Sequence, residues 1–126
     1  MIRYLLDINV LIALIDPAHV QHDRAHEWFA AKVGHPRYPN SPGSPAAVAG
    51  LLASFRQLPG HAFWPGDVSL LDREHVNAAR LLDSAHVTDS YLLALARKHD
   101  GKLASFDQRL VTDAVVDGHQ AFHLIR

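Results

Sequence analysis

The sequence contains no cysteine, which excludes a disulfide framework, a thiolate metal site and thiol catalysis. It has no long hydrophobic run, and no apolar stretch approaches the roughly 18 residues that a membrane span requires. Charge of one sign is also missing, since the formal net charge is −1 over 126 residues. No polybasic tail advertises nucleic acid, although a neutral total is compatible with a charged cleft. Met1 leads straight into Ile2-Arg3-Tyr4-Leu5-Leu6-Asp7, without the basic region, apolar run and cleavage site of an export signal. A cytoplasmic location is therefore expected. What remains is one domain's worth of chain, 48% hydrophobic and long enough to bury a core without staples. Ten histidines are the compositional oddity.

Periodicity divides the chain into alternating elements. A buried strand is expected over Ile2 to Leu6, followed by a helix capped by Asn9 and ending at Asp16-Pro17. A second helix runs from about Val20 to Val33, and Gly34 is placed to end it. The stretch from His35 to Pro45 carries four prolines and one glycine and reads as loop. Pro45 suits the first turn of a third helix reaching Leu58. His61 to Trp64 and Val68 to Leu71 are short strand candidates, and His75 to Asp83 reads as helix. Thr88 is the expected cap of the next helix, closed by His99-Asp100-Gly101. A strand over Lys102 to Phe106, a helix from Gln108 to Val116 and a strand from Ala121 to Ile125 complete the order. Such alternation predicts an α/β fold: a three-layer α/β/α sandwich with a mostly parallel sheet, in a single domain over 1–126.

The alternation brings three aspartates into view. Asp7 ends the first strand and Asp107 a later one, while Asp89 lies at the start of the helix between them. Sites in open parallel sheets form at the carboxyl ends of strands, so these side chains are candidates to share one rim. Each alone reads as a cap or turn former. Together they are harder to explain structurally, because each like-charged pair about 5 Å apart costs roughly 3 kcal/mol at an effective dielectric near 20. Protons or a cation must neutralise such a cluster. With oxygen ligands and no cysteine, the fitting cation is Mg²⁺ or Mn²⁺, which points to phosphoryl chemistry.

Three segments carry a resemblance. Leu5-Leu6-Asp7-Ile8-Asn9-Val10-Leu11, Val87-Thr88-Asp89-Ser90-Tyr91-Leu92 and Gly101-Lys102-Leu103-Ala104-Ser105-Phe106-Asp107 resemble, in order and spacing, those of PIN-domain ribonucleases, specifically VapC-type toxins of bacterial toxin–antitoxin pairs. The resemblance implies a Mg²⁺- or Mn²⁺-dependent endoribonuclease that cleaves RNA phosphodiesters with an activated water, leaving a 5′-phosphate and a 3′-hydroxyl. It implies Asp7, Asp89 and Asp107 as metal ligands, with Asn9 and Ser105 as supporting polar groups. It also implies a cognate antitoxin that neutralises the enzyme, and a homodimer.

The chain departs from that family at one place. A fourth acidic residue, usually Glu, is expected on a helix that follows a second strand. Here Val33-Gly34 runs directly into His35-Pro36-Arg37, so a strand and helix of roughly twenty residues are missing between about 34 and 36, more than ordinary loop variation. With that segment deleted, the central sheet loses a strand, the metal loses a ligand and activity is expected to be weak or absent; the other explanation is that another acid such as Glu27 or Asp67 substitutes. The alternative function is a catalytically degenerate PIN domain that binds antitoxin or RNA without cleaving. Ile8, where the family commonly has Thr, removes one hydroxyl near the site.

Other features are weighed more simply. His22 and His26 lie four apart and His19 three before His22, a spacing on one helix face that fits Zn²⁺. No Glu follows the first histidine as in a zinc-protease helix, and solvated surface histidines are expected. Arg109, two residues after Asp107, is the candidate phosphate contact. Trp28, Phe29, Phe63 and Trp64 are read as core or interface rather than base-stacking platforms. A receiver-type signalling domain and a haloacid-dehalogenase-type phosphatase both need a second acid beside Asp7, and Ile8 and Asn9 supply none.

Overall fold

The first strand forms where an apolar run meets a turn-forming aspartate. In the computed structural model, which describes residues 2–33, 45–58 and 60–126, β1 spans Tyr4–Leu6. β2 (Lys102–Ser105) and β3 (Phe122–Leu124) join it in a parallel sheet of order β1-β2-β3 among the described residues. Leu5 pairs with Leu103, and Ala104 with His123. β2 is central, and its Leu103, Ala104 and Ser105 are fully buried, as a parallel strand covered on both faces requires. The helices are α1 (Ile8–Ile15), α2 (His22–Val33), α3 (Pro45–Arg56) and α4 (Ala85–Lys98). The α/β class and the parallel sheet are therefore as the alternation predicts.

The chain forms two compact units. Met1–Asp7 with Trp64–Ile125 make the first, which holds the sheet and α4. There α4 packs on β1 and β2, burying Leu93, Ala94 and Ala96 with Leu103, Val76 and Val115. Ile8–Phe63 make the second, where α1 packs on α2 and Val10, Ala13, Leu14 and Ala25 are buried.

Several expected elements take another form, each for a local reason. His75 to Asp83 is not an α-helix. Val76 bridges Val115 in antiparallel fashion, and the Asn77 N–H donates to Ala114 O at 2.7 Å, leaving only a 3-10 turn over Ala78–Arg80. The same pairing removes the helix expected from Gln108 to Val116. Val111, Thr112, Val115 and Val116 are β-branched, and the segment is a run of turns closed at Gly118. His61 to Trp64 and Val68 to Leu71 form no strand. Trp64 instead stacks on His99 with ring centroids 4.9 Å apart and planes 9° from parallel, and Val68 enters the core. α4 starts one turn before Thr88, because Asp83 Oδ1 accepts the Ala85 N–H at 3.0 Å. The proline-rich stretch from 35 to 44 lies outside the described residues.

α4 closes in a Schellman arrangement. The Gly101 N–H donates to Ala96 O at 2.8 Å and the Asp100 N–H to Arg97 O at 3.1 Å, with Asp100 at φ 56°. Gly101 is required by space, since a Cβ there would fall 2.7 Å from the Arg3 carbonyl oxygen.

Candidate active site

The β1–β2 ladder continues one residue past β1: the Asp7 N–H donates to Ala104 O at 2.9 Å. That bond pins Asp7 at the carboxyl end of the sheet, where it is only 6% exposed. Ser105, the last residue of β2, is fully buried beside it and donates its hydroxyl to Asp7 Oδ2 at 2.7 Å. The same Ser105 oxygen accepts the Asp107 N–H at 3.1 Å. Asp107 in turn accepts the Arg109 N–H on Oδ1 at 2.9 Å, a local turn that fixes its carboxylate.

Asp89 lies on α4, near enough to Asp7 and Asp107 to feel both charges. α4 begins at Ala85, so Asp89 sits in the second helical turn, past the first-turn position where a carboxylate complements the helix dipole. Its carboxyl is pushed above the usual value near 3.8, first by burial, then by the charges of Asp7 and Asp107. His86, three residues earlier on α4, opposes that rise. Asp7 and Asp107 therefore both act on Asp89 electrostatically. No motif in the sequence marks His86, although its spacing from Asp89 puts both on one helix face.

The remaining candidates differ in exposure and partners. Asn9 is half-buried in the first turn of α1, in the second compact unit. Arg109 is exposed. Asp67 does not join the cluster. It accepts from His99 at 2.9 Å and pairs with Lys98 at 3.5 Å at the C-terminal end of α4, about 15 Å of helix from Asp89. The His99 hydrogen bond leads the effects that hold its carboxyl below the usual range. Glu27 is exposed on α2.

Two other groupings invite a ligand and are explained structurally. Asp72, Glu74 and His75 bring ligand-type atoms within 4.8 Å of one another. The Arg97 guanidinium, however, stands 2.9 Å from His75 Nδ1 and can only donate, so the imidazole proton sits on Nε2 and occupies the nitrogen facing Asp72. A shallow cleft of about 490 Å³ lies at the amino ends of the strands, away from the aspartates. Of its cations, Arg97 is paired with Asp117 and Lys98 with Asp67.

The histidines of α2 depart from expectation. His22 and His26 are not solvated but 5% and 4% exposed, with ring centroids 4.4 Å apart. His22 Nδ1 donates to Ala13 O and His26 Nε2 to Leu14 O, both at 2.7 Å. They cap the last turn of α1, whose carbonyls have no partner within the helix.

No helix among the described residues is long and apolar enough to cross a membrane. No family model and no solved structure matches the chain. Curated proteins do. Ribonuclease VapC44 of Mycobacterium tuberculosis is 41% identical over 131 residues, covering 90% of this chain and 92% of the relative. Ribonuclease VapC39 of the same organism is 36% identical, covering 87% of this chain and 92% of its own length. Ribonuclease VapC29 is 37% identical over 118 residues, covering 84% of this chain and 86% of its own. Similarity of this extent, at 36–41% identity over 84–90% of the chain, places the protein in the VapC ribonuclease family.

Proposed function

We propose that the chain is a metal-dependent endoribonuclease, the toxin of a toxin–antitoxin pair, with Asp7, Asp89 and Asp107 as its metal ligands. The observation that carries this reading is the similarity to VapC ribonucleases over 84–90% of the chain. The carboxyl of Asp89, raised by burial and by the charges of Asp7 and Asp107, supports the choice of ligands. Carboxylates whose charges meet at Asp89, all oxygen donors, suit Mg²⁺ or Mn²⁺. Such a cation supplies neutralising charge for a phosphodiester oxygen and acidifies the attacking water. Asp7 is held for that task by Ser105, and Asp107 is oriented through the same hydroxyl. Asn9 supports the site, and Arg109 offers a cation to a neighbouring phosphate. RNA substrate, a neutralising antitoxin, homodimerisation and a cytoplasmic location belong to the same reading.

A second reading is a degenerate member that binds RNA or antitoxin without cutting. It draws on the length of the VapC44 alignment: 131 positions exceed the 126 residues of this chain, of which 90%, about 113, are used. About 18 positions of the relative therefore have no counterpart here, in support of a missing strand-and-helix segment near 34–36. Mapping the product ends tests the choice. Cleavage leaving 5′-phosphate and 3′-hydroxyl termini supports the enzyme, whereas intact RNA that is nonetheless bound supports the degenerate form.

A further inference from the structure

We propose that the second compact unit holds a nucleotide subsite for single-stranded RNA, in which Phe63 stacks on a base and Arg56 and His61 hold the adjoining phosphate. The inference rests on the ribonuclease reading and adds to it a contact with the substrate. A cavity of about 350 Å³ lies where α3 ends, lined by Ala53, Arg56, Gln57, His61 and Phe63. All five residues belong to the second unit. Its volume is at the small end of ligand pockets, which suits one nucleotide rather than a long groove.

Local structure assembles the lining. Phe55 meets Phe29 of α2 with ring centroids 5.5 Å apart, anchoring the end of α3 within the same unit. Beyond it the Gln57 N–H donates to Ser54 O at 3.1 Å and the Leu58 N–H to Phe55 O at 3.2 Å. The His61 N–H then donates to Leu58 O at 3.0 Å. These successive turns bring His61 and Phe63 back beside Arg56.

The lining suits RNA in two respects. No carboxylate borders the cavity, and among the described residues nothing engages the side chains of Arg56, Gln57 and His61. The cations Arg97 and Lys98, by contrast, are taken by Asp117 and Asp67. Phe63, expected in the core or an interface, is instead 78% exposed. An open aromatic ring beside uncommitted donors is the pairing that single strands use, with stacking for the base and a cation for the phosphate. Arg56 in the last turn also complements the dipole of α3, but that role calls for no aromatic neighbour. A duplex keeps its bases stacked on one another, so only a single strand or loop offers one to Phe63.

The test measures binding of fluorescein-labelled RNA, single-stranded or duplex, to the full chain by anisotropy, with Ca²⁺ in place of Mn²⁺. Phe63→Ala is expected to bind the single strand about tenfold more weakly and the duplex as the wild type does. Phe63→Trp, which keeps a π-face, stays within about threefold on both. His61→Ala weakens single-strand binding about tenfold, the loss of one hydrogen bond to a charged oxygen. Arg56→Gln also weakens it, and lowers the slope of log affinity against log salt by about 0.7, the share of one phosphate contact. Single-strand binding left unchanged by any of the three truncations overturns the proposal, as does an equal loss on the duplex for Phe63→Ala or an unchanged salt slope for Arg56→Gln. Failure of the wild-type chain itself to bind RNA overturns the ribonuclease reading, and this inference with it.

Discussion

The Ser105 hydroxyl stands 2.7 Å from Asp7 Oδ2 and 3.1 Å from the Asp107 nitrogen, so one buried side chain joins two carboxylate-bearing strand ends. Ser105→Ala removes the donor while leaving Asp7 buried. The expected loss of stability is about 1–3 kcal/mol, read by urea unfolding. Mn²⁺ affinity should fall by about tenfold, as when a metal ligand loses its orienting partner. Unchanged values for both would mean that Ser105 only fills space.

Asp89 sets a pH dependence with a definite sign. Its carboxyl is raised above 3.8 in the folded chain, so the folded state holds that proton to higher pH than the unfolded state does. Stability therefore falls as pH rises from the ordinary carboxylate value through the raised one, and is level beyond it. Without metal, Asp89→Asn should melt above the wild type at neutral pH, and the gap should close on acidification. Thermal melts in EDTA check this. Added Mn²⁺ should reverse the order, stabilising the wild type by about 2.7 kcal/mol at a hundredfold excess over Kd and the variant by less.

His22 and His26 cap α1 from α2, each donating to a carbonyl at 2.7 Å. His22→Ala should cost about 1–3 kcal/mol, because it strips the donor from a carbonyl at a buried helix end. His22→Gln should recover part of that, since its amide still donates. Solvated histidines would give no measurable change on either substitution.

Asp100 occupies the left-handed position that helix ends usually give to glycine, at φ 56°. Asp100→Gly should stabilise the chain by about 0.5–1 kcal/mol. Gly101→Ala should do the opposite, by about 1–3 kcal/mol, because its Cβ meets the Trp64 ring at 2.5 Å and the Arg3 carbonyl oxygen. Differential melting of the two variants separates adjacent residues with opposite demands.

The strands and α4 were legible because each is an apolar run ended by a turn residue, and Asp7 and Asp107 fell at strand ends for the same reason. The stretch from 61 to 84 was not. Val76, Ala79 and Leu82 have helical spacing, but the backbone of His75, Val76 and Asn77 is taken by residues 114–116, a pairing some forty positions away that no local pattern encodes. The start of α4 was misplaced because Asp83 caps it through its own side chain, one turn before the stronger-looking Thr88. His22 and His26 read as surface residues because their partners are carbonyls, which leave no mark in a sequence. Ser105 was visible only through resemblance, and its two hydrogen bonds give that resemblance a physical basis.

The central claim is that three aspartates suffice for metal-dependent RNA cleavage. Incubating total RNA with the chain, with and without Mn²⁺, and with Asp89→Asn as the control, tests it most directly. Discrete fragments that need Mn²⁺ and vanish in the variant are predicted. Equal inertness of folded wild type and variant would contradict the account.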